Sequence, residues 1–195
     1  AMTLLRGLAD DKPLDAWLQE DIWPVEAALR GEDVRVGTEL AMVEMIRSGT
    51  TAFADMYFEC LNVVDAVAEA GMRARVGHGV VTVGKGDDEA REDADESIAV
   101  AEGYDGAADG RVKTAFMPHS LTAVDPDLLR EYTERARDAG VPVHFHANET
   151  VDEVDPIVEE YGERPLAWAR EQGLHESGDF LAHGVHTTDD EHDLL

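Results

Sequence analysis

Cysteine, lysine and long apolar runs are nearly missing from this 195-residue chain. Cys60 is its one cysteine, so an internal disulfide framework is excluded and a reducing compartment is expected. No apolar run approaches the roughly eighteen residues that a spanning helix needs. The apolar part of Ala1-Met2-Thr3-Leu4-Leu5-Arg6-Gly7 is too short for a signal peptide. These features predict a cytoplasmic protein without a membrane partner.

Basic side chains are scarce as well. Against 43 acids stand 16 lysines and arginines, giving a formal charge of −27, and the lysines are only Lys12, Lys85 and Lys113. A chain this acidic repels nucleic-acid phosphates and anionic lipid, so neither is an expected partner. The acids are dispersed over expected helix surfaces, as in residues 87–96, rather than gathered in a tail. Dispersed acid with so little lysine points to an organism with a salty cytoplasm, where self-repulsion is screened; an ordinary acidic mesophilic protein is the alternative.

What is present is a globular composition, 44% hydrophobic and long enough for one core. Apolar spacing predicts a helix over 14–30, kinked by Pro24 near Trp23, and a second over 33–47 with Leu40, Val43, Met45 and Ile46 as its apolar residues. From there a unit repeats. Strands are expected at 50–56, 74–81, 112–117, 141–145 and 180–182. Helices are expected at 61–70, 87–101, 125–139, 151–161, 165–172 and from 189 onward, several stopped by glycine. Strand–helix alternation argues for a parallel sheet with right-handed crossovers.

Each strand runs into ionisable residues: Asp55, then His78, then His119, then His146 with Glu149, then His183 with His186. Chemistry collects at the C-terminal ends of parallel strands in barrels and open α/β sheets alike. A ring of such groups around one mouth favours a barrel; an open doubly wound sheet is the alternative that pattern leaves standing.

Residues 141–149 concentrate the chemistry. His144 and His146 share one side of a strand, so both can be ligands or one can support the other. A neutral His146 imidazole suits zinc, and Glu149 three residues on can move a proton beside the metal. His-x-x-Glu alone is common decoration, and its place at a strand end is what raises its weight. His183 and His186 read either as metal-proximal imidazoles or as hydrogen-bonded structural ones. His119, between Pro118 and Ser120, is either a substrate contact or a turn residue. The glycines at 77, 79, 84 and 86 lack both the Lys-Ser/Thr of a phosphate loop and the dinucleotide spacing. Cys60 reads as a small buried residue and Trp17, Trp23 and Trp168 as core.

These motifs together resemble the metal-dependent amidohydrolase superfamily. Within it the chain looks like the 5′-methylthioadenosine/S-adenosylhomocysteine deaminase family. The resemblance rests on Met2-Thr3-Leu4-Leu5-Arg6-Gly7, Trp23-Pro24-Val25-Glu26, Thr50-Thr51-Ala52-Phe53-Ala54-Asp55-Met56, Pro118-His119-Ser120, His144-Phe145-His146-Ala147-Asn148-Glu149-Thr150 and Leu181-Ala182-His183-Gly184-Val185-His186, in that order. It implies an α/β fold of the (β/α)₈ TIM-barrel type and hydrolytic deamination of an adenine nucleoside by a metal-activated water. The cofactor implied is zinc, with iron or manganese as alternatives. By the same resemblance His146 is a metal ligand, and Glu149 is the proton shuttle and a substrate contact. His183 orients the attacking water. Glu26 contacts ribose hydroxyls, and His119 and Arg91 are further substrate contacts. His78 stands where relatives often carry another arginine.

The family's His-x-His motif and its last aspartate ligand are not among these residues. The expectation is therefore one partial barrel domain over 1–195, about strands two to six, without the His-x-His strand, the C-terminal strands and the small β-domain. Such a piece is expected to bind zinc poorly and to lack deaminase activity by itself. Its open sheet edges favour a homo-oligomer. Another amidohydrolase, acting on guanine or a triazine ring, is the alternative in the same chemistry. A non-catalytic barrel fragment is the alternative outside it.

Overall fold

In the computed structural model, which describes residues 1–195, the chain opens with short helical pieces before a repeated strand–helix unit begins. The single kinked helix expected over 14–30 is instead α1 (Leu14–Trp17), a π-helical turn (Leu18–Ile22) and α2 (Trp23–Glu26). Pro24 explains the division. It has no N–H to give, and its ring crowds the carbonyl four residues back, so the ladder widens into a π turn upstream of it.

Helix α3 (Gly31–Ser48) follows and stops at Gly49, whose φ of 88° is open to glycine without strain. Its buried face also differs from expectation. Val34, Thr38 and Met42 enter the core, whereas Leu40, Val43 and Ile46 are exposed. The helix docks on α4 (Cys60–Ala70) through the side that faces the sheet, and apolar spacing alone does not identify that side.

The unit then runs through β1 (Ala52–Tyr57), α4, β2 (Arg73–Val80), α5 (Asp87–Tyr104), the single turn α6 (Ala107–Gly110), β3 (Val112–Thr114) and β4 (Met117–Pro118). It continues with α7 (Pro126–Asp138), β5 (His144–Ala147), α8 (Val151–Tyr161), α9 (Pro165–Glu171), β6 (Phe180–His183) and α10 (Asp189–His192). The strand expected over 112–117 breaks at Ala115 and Phe116. Phe116 bridges Val143 there, donating to the Pro142 carbonyl at 2.9 Å. Pro142 has no N–H for the ladder, so β5 begins at His144 rather than at Val141.

Every pairing is parallel, and neighbours in the sheet are neighbours in sequence: β1 with β2, β2 with β3 and β4, and β5 with β6. Single bridges at Phe116–Val143 and Ser120–His146 join the β3–β4 strand to β5. The order never reverses. A doubly wound sheet must reverse; right-handed crossovers that always advance one strand place all helices on one face, as in the wall of a barrel. The core lies between that face and the helices. Ala74 and Val76 pack under α3 and α4, and Val143, Phe145 and Ala147 under α5, α7, α8 and α9. The alternate residues of β5, His144 and His146, are left for the inner side.

Candidate active site

Strand-end turns bring His119, His146, Glu149 and His183 to one cavity of about 350 Å³, which Glu26, Trp23 and Phe58 also line. His119 follows β4, where its N–H donates to the Val80 carbonyl at 2.9 Å. The rings of His119 and His146 lie 4.6 Å apart, and those of His146 and His183 lie 5.1 Å apart. Glu149 Oε2 is 3.4 Å from His183 Nε2.

Two backbone conformations aim these groups. Asn148, immediately before Glu149, has a φ of 54°, and His183 closes β6 at 75°. Asparagine tolerates the left-handed region because its short amide bonds locally. Strict alternation would send His183 to the helix side with Leu181, and its left-handed φ breaks that alternation.

Burial sets the charge state. It pushes His119 down to about 4, and the neighbouring His146 and His183 add to the effect. His146 is lowered by burial too, against the bond that its Nδ1 donates to the His119 carbonyl at 2.7 Å. The imidazoles of His119 and His146 are therefore neutral at pH 7. Because Nδ1 of His146 carries the donated proton, its Nε2 keeps a free lone pair. Burial also raises the Glu26 carboxyl, opposed by the nearby Tyr57 hydroxyl.

A neutral imidazole with a free, cavity-facing lone pair and an adjacent carboxylate is donor chemistry that fits a divalent metal. The fit is partial, since no group of three or more His, Cys, Asp or Glu in the chain is placed to hold a metal ion.

Several sequence-picked residues lie elsewhere. Arg91, expected at the substrate, is on the outer helix layer, where both its terminal nitrogens meet Glu131 at 2.8 Å. It sits on the solvent side of α5, so the sheet separates it from the cavity. His78 leaves the strand-end ring as well. Even-numbered residues of β2 face the helices, and His78 Nε2 pairs with Asp93 Oδ1 of α5 at 2.8 Å. Asp55 and His186 do not line the cavity. His144 does share the inner side with His146, at 6.1 Å, but its ring is stacked on Phe180 at 4.0 Å.

Sequence reasoning missed three residues. Trp23, read as core, is a cavity wall. Glu153 accepts the Glu149 N–H at 2.8 Å, and burial pushes its carboxyl up to about 7. Glu191 lies buried behind the strand-end turns. Both glutamates sit three residues after a threonine, Thr150 and Thr188, so a capping-box pattern was readable; what their carboxylates touch was not.

The profile of the Amidohydrolase family matches residues 1–195. A 5-methylthioadenosine/S-adenosylhomocysteine deaminase of Natronomonas pharaonis is 66% identical over the whole chain, and that of Halobacterium salinarum 65%. In each case the chain spans 45% of the relative's length. Among solved structures, an adenosine deaminase from Xanthomonas campestris with bound zinc superposes with a TM-score of 0.85 at 37% identity, covering 99% of this chain and 44% of that one.

Proposed function

Since the chain belongs to the amidohydrolase family, with its TIM-barrel-type fold, we propose that it carries the proton-transfer and nucleoside-binding wall of an adenine-nucleoside deaminase. The substrates in view are 5′-methylthioadenosine, S-adenosylhomocysteine or adenosine, as the names of its relatives suggest. We read its five strand positions as strands two to six of the barrel, within a single domain that the rest of the protein completes.

The observation that carries this reading is one cavity lined by the Glu149 carboxylate with the imidazoles of His119, His146 and His183, and by a second carboxylate, Glu26, with the ring of Trp23. A divalent metal, zinc foremost and iron or manganese as alternatives, supplies an activated water when bound. His146 would be one of its ligands. Glu149 takes one proton from the water and passes it to the purine ring nitrogen, then moves the second, from the hydroxyl now on the ring carbon, to the amine, which leaves as ammonia. Water adds at the ring carbon that bears the amine. His183, 3.4 Å from Glu149, holds that carboxylate and the attacking water in line. His119, buried and neutral, meets the base as a hydrogen-bonding partner rather than as a cation. Glu26 accepts hydrogen bonds from ribose hydroxyls, and that second carboxylate is why a nucleoside is preferred over a free guanine or triazine ring.

The test is the full-length protein, assayed for ammonia release on a panel of adenosine derivatives with metal analysis alongside. Turnover of at least one nucleoside is expected, with Glu149→Gln lowering it by about 10²–10⁴-fold. Equal rates for the Gln variant, or turnover of free bases alone, would sink the assignment. The −27 charge and the three lysines support a working place in a salty cytoplasm without nucleic-acid or membrane partners, and the open sheet edges of this piece support a homo-oligomer. Thermal unfolding that is indifferent to salt, or a monomer by light scattering, would count against that setting.

A further inference from the structure

Glu149 and His183 stand on two different turns, after β5 and after β6. The backbones of those turns are joined: Gly184 N–H donates to the Ala147 carbonyl and His186 N–H to the Asn148 carbonyl, both at 2.9 Å. Behind them lies the carboxylate of Glu191, with the residue only 2% exposed. It accepts from Asn148 Nδ2 at 3.1 Å on each oxygen, from Arg164 Nε at 2.7 Å, and from the N–H groups of Leu166 and Thr188 at 3.2 and 3.1 Å.

A carboxylate that only capped the four-residue α10 would sit in water. This one is withdrawn from water and gathers donors from three separate segments, an arrangement that desolvation opposes unless every lone pair is matched. Its partners are the ones that shape the site. Asn148 is fully buried, sits in the left-handed region and directly precedes Glu149. The amide of Asn148 and the guanidinium of Arg164 also both donate to the His186 carbonyl, at 3.3 and 2.5 Å, on the turn that begins at His183.

We infer that Glu191 is a positioning residue: through Asn148 and Arg164 it ties the two turns together and sets the separation of the Glu149 carboxylate from the His183 imidazole. The inference rests on the deaminase reading for its kinetic consequence but not for its geometry.

The experiment uses the full-length, metal-loaded protein. Glu191→Gln keeps the volume and turns one acceptor into a donor facing the donors of Asn148 and Arg164. Expected are a kcat reduced by at least about tenfold, KM within about twofold and unchanged metal content, because small misplacements of reacting groups cost rate more than binding. The ring ¹⁵N signals of His183 should move while those of His144, which touches none of these groups, stay in place. Asn148→Gly, which retains the left-handed turn but loses the amide, should reproduce both effects and decides the matter if the Gln variant does not fold. An unchanged kcat with an unmoved His183 signal, accompanied only by a lower melting temperature, overturns the inference. If the wild-type protein deaminates no nucleoside, the functional reading fails, and the His183 signal still decides the positioning role.

Discussion

The two faces of the sheet treat charge in opposite ways. On the inner side, burial lowers the His119 and His146 imidazoles, which crowd against each other and against His183, with Glu149 as the carboxylate beside them. On the outer side, arginines of the helix layer are matched with acids: Arg91 with Glu131 across α5 and α7, and Arg135 with Asp95. Those outer pairs are half exposed and belong to the class worth about 0–1 kcal/mol each. Carboxylates therefore join a reactive site on one side and a solvated coat on the other. Arg91 is the instructive case: the family resemblance made it a substrate contact, whereas its place on the solvent face of α5 gives it a surface partner, Glu131.

The sharpest way to break this contrast is at Arg137, whose partner, unlike those of Arg91 and Arg135, is buried. Asp179 accepts from Arg137 and from the N–H groups of Val143 and Glu176, with its side chain 1% exposed. Burial raises the Asp179 carboxyl, but these bonds more than offset it and hold it below its ordinary value. Arg137→Ala leaves that charge uncompensated and is expected to cost about 3–5 kcal/mol in urea unfolding. A loss as small as that of an exposed pair would show that burial does not separate the two classes.

Next in size is Glu153, a buried acid in the first turn of α8 that accepts the Glu149 N–H. Burial and the neighbouring Glu149 raise its carboxyl to about 7, against an unfolded value of about 4.3. The folded state then binds more protons than the unfolded chain between those values, so stability falls as pH rises through the window. Glu153→Gln should remove that penalty. It is expected to be more stable than wild type by about 1–3 kcal/mol at pH 8 and close to wild type near pH 4. His119 works in the opposite sense. Its depressed value makes a contribution that is present above about 6.5 and lost as pH falls towards 4, so the two windows overlap and the variant is needed to separate them.

The smallest effect sharpens the comparison from the other side. Arg91→Ala should change stability by no more than about 0.5 kcal/mol and leave nucleoside turnover within about twofold. A tenfold rise in KM would return Arg91 to the site and undo the distinction between the faces.

Much of this was legible in the sequence because it depends on local rules. Period two at residues 141–147 places His144 and His146 together on one side and Val141, Val143 and Phe145 on the other, and the structure keeps that division. Regular strand–helix alternation led to parallel pairing with each crossover advancing one strand. The chain by itself determined which elements form, their order, and the strand ends where imidazoles and acids accumulate. Tertiary structure decided which side each group serves. It turned His78 towards Asp93, left Leu40, Val43 and Ile46 of α3 in solvent, and gave Glu191, beyond its helix cap, bonds to Asn148 and Arg164 beside Glu149. The reason is physical. Periodicity fixes a side chain's angle about its own strand or helix, but burial and bonding partners are set by what packs against it, often some forty residues away in sequence, as Asn148 and Glu191 are.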